Sequence, residues 1–140
     1  MPELPEIETT VRGLYKIKHF RVHKVFTHTN QLRFKVPLNI KKKILNTKVS
    51  NIKRIAKYIV LHLDNDFSLV IHLGMSGRLR IISHNFVKEK HDHFILLFNE
   101  KKHLVYNDPR KFGFIDLVET VKLPSKKYIL SLGVDALSKK

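Results

Sequence analysis

A mainly β fold is what this sequence predicts: a two-layer antiparallel β-sandwich with flanking helices, the first of them at the N-terminus. Three observations carry that expectation. Apolar residues alternate with period two from Val49 onward, helical spacing is confined to two short stretches, and turn residues separate about seven strand-like segments. The 140 residues, 43% hydrophobic and 28% charged, suit one domain with a sizeable core. No internal repeat, low-complexity tract or long Gly/Ser linker divides them.

Along the chain, Ile7, Val11, Leu14 and Tyr15 recur at helical spacing and predict a helix over residues 5–15, closing just after Gly13. Glu6 and Glu8 fall in its first turn, where the dipole favours acids, and Pro5 suits an early helical position. A strand is expected over residues 20–27, and a short second helix after Pro37. Ile59, Leu61 and Leu63 then alternate with Tyr58, Val60 and His62. After Asp64-Asn65-Asp66 the alternation resumes at Phe67, Leu69, Ile71 and Leu73, which reads as a hairpin with an Asp/Asn turn. Further strands are expected over residues 78–83, 93–99, 104–107 and 114–119. Residues 1–131 thus form the expected domain, while 132–140 turn polar and read as an exit from it.

Charge narrows the partner. Lys and Arg total 27 against 12 acids, a formal net charge of +15. Residues 9–63 hold 14 of those 27 cations and no Asp or Glu at all. A basic run alone reads equally as a solvated face or a nucleic-acid face; the missing counter-charges favour a partner that carries phosphates. A membrane surface is the weaker alternative, because Lys41, Lys42 and Lys43 beside Ile40, Ile44 and Leu45 make only a short amphipathic stretch. No apolar run is long enough to cross a bilayer, and no signal-peptide pattern opens the chain. The absence of cysteine excludes disulfides, a thiolate nucleophile and any Cys-containing zinc site, and it suits a reducing cytosol.

The terminus Met1-Pro2-Glu3-Leu4-Pro5-Glu6 carries the most chemistry. Removal of the initiator methionine, expected before a residue as small as proline, leaves Pro2 with a secondary amine, and an α-amino group titrates near 7.7–8.0. Such an amine condensing with a carbonyl-like carbon gives a cationic iminium, an effective electron sink, and Glu3 is placed to act as general acid. The same residues also suit any helix N-terminus. Lys57 is either a phosphate or proton-transfer group or an ordinary strand-end lysine. Met75, between Gly74 and Gly77, is either a wedge for a base stack or a core filler. His91 and His93, at i and i+2 of one strand, raise metal binding, but two histidines and Asp92 are too few to require it; phosphate contact by His91 is the equal alternative. In Asp108-Pro109-Arg110-Lys111-Phe112-Gly113, Arg110 and Phe112 either fill a gap in a base stack or belong to a surface turn whose Phe112 enters the core.

Taken together, Met-Pro-Glu-Leu-Pro-Glu at the terminus, Ala-Lys-Tyr at 56–58, Leu-Gly-Met-Ser-Gly at 73–77, Lys-His-Asp-His at 90–93 and Asp-Pro-Arg-Lys-Phe-Gly at 108–113 resemble bacterial formamidopyrimidine-DNA glycosylase. The order and spacing of these motifs fit across the whole chain. Leu4, where the sister family of endonuclease VIII usually carries glycine, and the Leu-Gly-Met-Ser-Gly turn favour the former.

The resemblance implies base-excision repair of oxidised purines, 8-oxoguanine and formamidopyrimidines, followed by AP-lyase cleavage of the abasic site. It implies Pro2 as Schiff-base nucleophile, carried by the N-terminal helix, Glu3 as proton donor to the sugar, Lys57 in β-elimination and Glu6 in ordering the site. Met75, Arg110 and Phe112 match the residues that fill the hole left by the flipped nucleotide; His91 and Arg110 match DNA contacts. Ile55 departs from a polar position of the family and is expected to weaken a phosphate contact.

Family members continue into a helix-two-turn-helix region and a four-cysteine zinc finger, and residues 132–138 resemble the hinge before them. No metal or other cofactor is therefore expected in this chain. The implied partner is damaged double-stranded DNA in the bacterial cytosol or nucleoid, with no membrane, and a monomer unless a separate C-terminal polypeptide joins it. The competing reading is a truncated, non-catalytic basic domain that binds nucleic acid.

Overall fold

The computed structural model describes residues 2–83 and 85–133. Met1, whose removal is expected above, and residues 134–140 of the expected hinge lie outside the described residues. The first helix, α1, spans Leu4–Leu14 and buries Ile7, Val11 and Leu14. Tyr15, expected on that apolar face, instead opens a 3₁₀ turn (Tyr15–Ile17) and is 48% exposed, while Ile17 enters the core in its place. In the tighter turn residues i and i+3 eclipse, so Ile17 follows Leu14 onto the buried side. The second helix, α2 (Ile40–Ile44), buries both isoleucines in the core, while Leu45 just after it is 43% exposed.

Among the described residues there are eight strands, of which only β2 has no range predicted from the sequence: β1 (Val22–Thr27), β2 (Val49–Ile55), β3 (Tyr58–Leu63), β4 (Phe67–His72), β5 (Arg78–Ile82), β6 (Asp92–Phe98), β7 (His103–Asn107) and β8 (Phe114–Glu119). They form two antiparallel four-stranded sheets, ordered β1-β6-β7-β5 and β2-β3-β4-β8. The expected hairpin is β3–β4, with Asp66 in the left-handed region at φ 65°. The main core lies between the sheets: Ile59, Leu61, Leu69 and Ile71 from one face Leu96, Phe98, Leu104 and Tyr106 from the other.

The other face of the β2-β3-β4-β8 sheet is also covered. A 3₁₀ segment (Thr120–Ser125) and a short helix α3 (Lys127–Leu130), neither expected from the sequence, bring Leu123 and Ile129 over Ile55, Val60, Val70 and Val118. The Ile55 side chain is buried in that cluster, so its departure from a polar residue bears on packing and not on a phosphate contact. One further correction concerns the histidine pair. β6 begins at Asp92 with a register shift between Asp92 and Phe94, and His91 precedes it at φ 78°, so His91 and His93 do not share a strand face. Among the described residues no helix is long and apolar enough to cross a membrane.

Candidate active site and nucleic-acid interface

Helix capping places the N-terminal carboxylates. Glu3 is the N-cap of α1, and its backbone N–H donates to Glu6 Oε1 at 3.0 Å while the Glu3 side chain accepts from the Glu6 backbone. This capping box accounts for Glu6: it fixes the direction in which the chain leaves the helix, and hence where Pro2 lies. Lys57 arrives from the tip of the β2–β3 hairpin, where Ala56 takes φ 51° to close the turn. Arg54 braces that tip, donating to the Ala56 carbonyl at 2.8 Å and pairing with Glu8 of α1 at 3.3 Å. The hairpin is thereby tied to the helix, and Lys57 Nζ stands 4.0 Å from Glu3 Oε1.

Pro2, Ile7, Lys57, His72, Leu73 and Gly74 line one niche. His72 is the member that the sequence did not reveal, because it occupies an ordinary outward position at the end of an apolar strand. Its Nδ1 accepts a hydrogen bond from the Gly74 N–H at 3.1 Å, which leaves its proton on Nε2. Burial, and then the Arg33 and Lys57 cations, hold its imidazole below the usual histidine range.

Burial likewise lowers His93 and His103. The unfolded chain takes up protons on these rings near pH 6.5 and the folded chain does so only at lower pH. The unfolded state therefore binds more protons in that window, and stability is expected to fall as pH drops below about 6.5. Urea unfolding at pH 7.5 and pH 5.5 checks the sign, and His72→Gln should shrink the difference.

Beyond Gly74 the same turn presents the second group of side chains. Met75 is 45% exposed and Phe112 is 44% exposed, so neither is the core residue that the blander alternatives allow. The Arg110 guanidinium lies over the Phe112 ring, 4.8 Å from its centroid. His91 is half-buried beside this loop, its carbonyl accepting from the Asp108 N–H at 3.1 Å, and its ring centroid is 6.0 Å from that of His93. Among the described residues no group of three or more metal-ligating side chains is assembled.

The residue on which the loop turns is Asp108, fully buried, and sequence reasoning assigned it no role. Its Oδ2 accepts from the Tyr106 hydroxyl at 2.6 Å and the Gly113 N–H at 2.9 Å, and its backbone carbonyl meets His93 Nε2 at 2.9 Å. Burial and the neighbouring carboxylate push the Tyr106 hydroxyl far up, so it remains a donor. The available signal was an acid directly before a proline in a turn otherwise rich in cations.

The structure thus gathers Pro2, Glu3, Lys57 and, through the cap, Glu6 at one niche, and sets Met75, Arg110, Phe112 and His91 around an adjoining loop pair. This fold and these two groups define a class, the N-terminal domain of the formamidopyrimidine-DNA glycosylase type, and that family description matches residues 1–115. The formamidopyrimidine-DNA glycosylases of Rickettsia africae (strain ESF-5) and Rickettsia bellii (strain OSU 85-389) are 38% and 37% identical over 139 residues, 99% of this chain and 50% of theirs. Two crystal structures of Lactococcus lactis Fpg, one with an abasic site containing DNA and one with a FAPY-dG containing DNA, match with TM-scores of 0.83 and 0.82 at 31% identity. These matches cover 93% and 92% of this chain and 48% of each of those chains. The chain belongs to the formamidopyrimidine-DNA glycosylase family, and it spans about half the length of the curated relatives it matches.

Proposed function

We propose that this chain carries the nucleophilic half of a DNA glycosylase and AP lyase that removes oxidised purines from duplex DNA in the bacterial cytosol or nucleoid. The observation that carries the reading is the niche that joins Pro2 to Lys57 and His72, with the Glu3 carboxylate 4.0 Å from the lysine. Family membership favours this enzymatic reading over a non-catalytic basic domain.

The Pro2 nitrogen attacks C1′ of the damaged nucleoside and gives up its proton, which the departing oxidised base takes along with the electron pair of the glycosidic bond. Glu3 gives a proton to the ring oxygen as the sugar opens, which yields a cationic iminium between Pro2 and C1′. The iminium acidifies C2′. Loss of a C2′ proton, with Lys57 serving this step, expels the 3′ phosphate and cuts the strand, and water then releases Pro2. The nucleophile and the electron sink are both the chain's own nitrogen, so this chemistry asks for no metal or organic cofactor in this chain. Met75, Arg110 and Phe112 fill the space that the flipped nucleotide leaves, while His91 and Arg110 hold the backbone.

An abasic duplex presents the aldehyde directly, so the test separates condensation from base removal. Borohydride added to the protein with such a duplex is expected to yield a covalent adduct, seen as a shifted band. Glu3→Gln should slow release of 8-oxoguanine by about 10²-fold or more while sparing much of the adduct with a preformed abasic site. No adduct at protein concentrations that saturate DNA binding would overturn the proposal.

A further inference from the structure

Two loops that are distant in sequence carry the exposed Met75 and the Arg110–Phe112 pair, and their relative placement depends on one crossing. Ser76 Oγ donates to Asp108 Oδ1 at 2.7 Å and accepts from the Arg110 N–H at 3.1 Å. The same hydroxyl therefore holds the buried acid of one loop and the backbone of its functional arginine, one residue from Met75. Asp108 Oδ1 also accepts from the Lys111 N–H at 3.2 Å, and Oδ2 takes the Tyr106 and Gly113 donors. Beneath the crossing the two backbones touch: at Gly74, φ 62°, a side-chain carbon would meet Gly113 and the Phe112 carbonyl.

We propose that Ser76 and Asp108 form a latch that joins these loops before DNA arrives, so that Met75, Arg110 and Phe112 enter the duplex as one preassembled wedge. The inference rests on the proposed hole-filling role of those three side chains and adds two positioning residues that touch no DNA themselves. Its physical content is pre-organisation: the ordering of two loops, and the stacking of Arg110 on Phe112, are completed in the free protein, and insertion does not carry that entropic cost. Asparagine is no substitute at position 108. Each carboxylate oxygen accepts from a backbone N–H, so an amide in either orientation sets its NH₂ against a donor that cannot accept.

The test is the fluorescence of 2-aminopurine placed opposite a tetrahydrofuran abasic analogue in duplex DNA, with the chain at saturating concentration. Insertion of the wild-type wedge is expected to change the signal, and Phe112→Ala to remove most of that change. Ser76→Ala, which leaves both glycine contacts and three donors to Asp108 in place, should lower the preference for gapped over intact duplex by about fivefold, the weight of one hydrogen bond. Ser76→Thr should restore it, and the salt dependence of binding should be unchanged because no phosphate contact is altered.

Tyr106→Phe is the control for a merely structural role, since it removes a donor from the same carboxylate without touching the crossing. If Tyr106→Phe and Ser76→Ala lower the gap preference equally, or if Ser76→Ala keeps the wild-type preference while Phe112→Ala loses the signal, the latch is overturned and the wedge stands. A Phe112→Ala protein with the full fluorescence change overturns the wedge, and the latch with it.

Discussion

Protein whose Pro2 nitrogen is blocked by acetylation is expected to give no borohydride-trapped adduct with abasic DNA under conditions where the free Pro2 form is trapped. The loss should be complete because an amide nitrogen has no available lone pair and cannot form an iminium, whereas the free secondary amine can do both at neutral pH. DNA affinity should change little, since a chain of net charge +15 draws its affinity from phosphate neutralisation spread over many side chains. Pro2→Gly is expected to fall between the two, its primary amine still condensing, and intact mass confirms which terminus each sample carries. Equal trapping by blocked and free protein would assign the adduct to another amine, with Lys57 at the same niche the first to test.

The second large effect is structural. Gly113→Ala is expected to cost about 3 kcal/mol, because overpacking a closed site forces backbone or neighbouring side chains to move. A methyl carbon there would overlap the His72 carbonyl oxygen and the Tyr106 hydroxyl, and the latter is held by buried Asp108. The strain therefore reaches the Pro2 niche through β4 and the wedge loops through Asp108 together. Gly13→Ala makes the contrast: that helical glycine has nothing within 4 Å, and the change should stabilise by about 0.5–1 kcal/mol. Urea midpoints of the two variants, measured side by side, should move in opposite directions; a Gly113→Ala midpoint at the wild-type value would show that the loop pair yields freely.

Much of the candidate site was legible in local sequence. Pro2, Glu3, Lys57, Met75, Arg110 and Phe112 sit in short runs whose residue types have few other uses together, and turn residues mark where each run must leave a strand. Their partners were less legible. His72 looks like one more outward residue of an alternating strand, and Asp108 like one more turn acid, until the Gly74 N–H and the Ser76 hydroxyl are found beside them.

The sequence by itself determined the β-rich class, the position of seven of the eight strands described, the helix that begins at the N-terminus and the strongly basic character, because each follows from spacing, turn chemistry or charge within a few residues. Only the tertiary structure decided which faces are covered and which residues meet. Val60 and Val70 alternate with core residues, and they are buried because the 3₁₀ segment and α3 return across the outer face of their sheet. Tyr15 gave way to Ile17 when the helix tightened. Lys57 reaches Glu3 because Arg54 ties a hairpin to a helix, and Ser76 reaches Asp108 because two glycines let two backbones touch. Such contacts join residues far apart in the chain, and no local pattern encodes a partner that only the closed core brings within hydrogen-bonding distance.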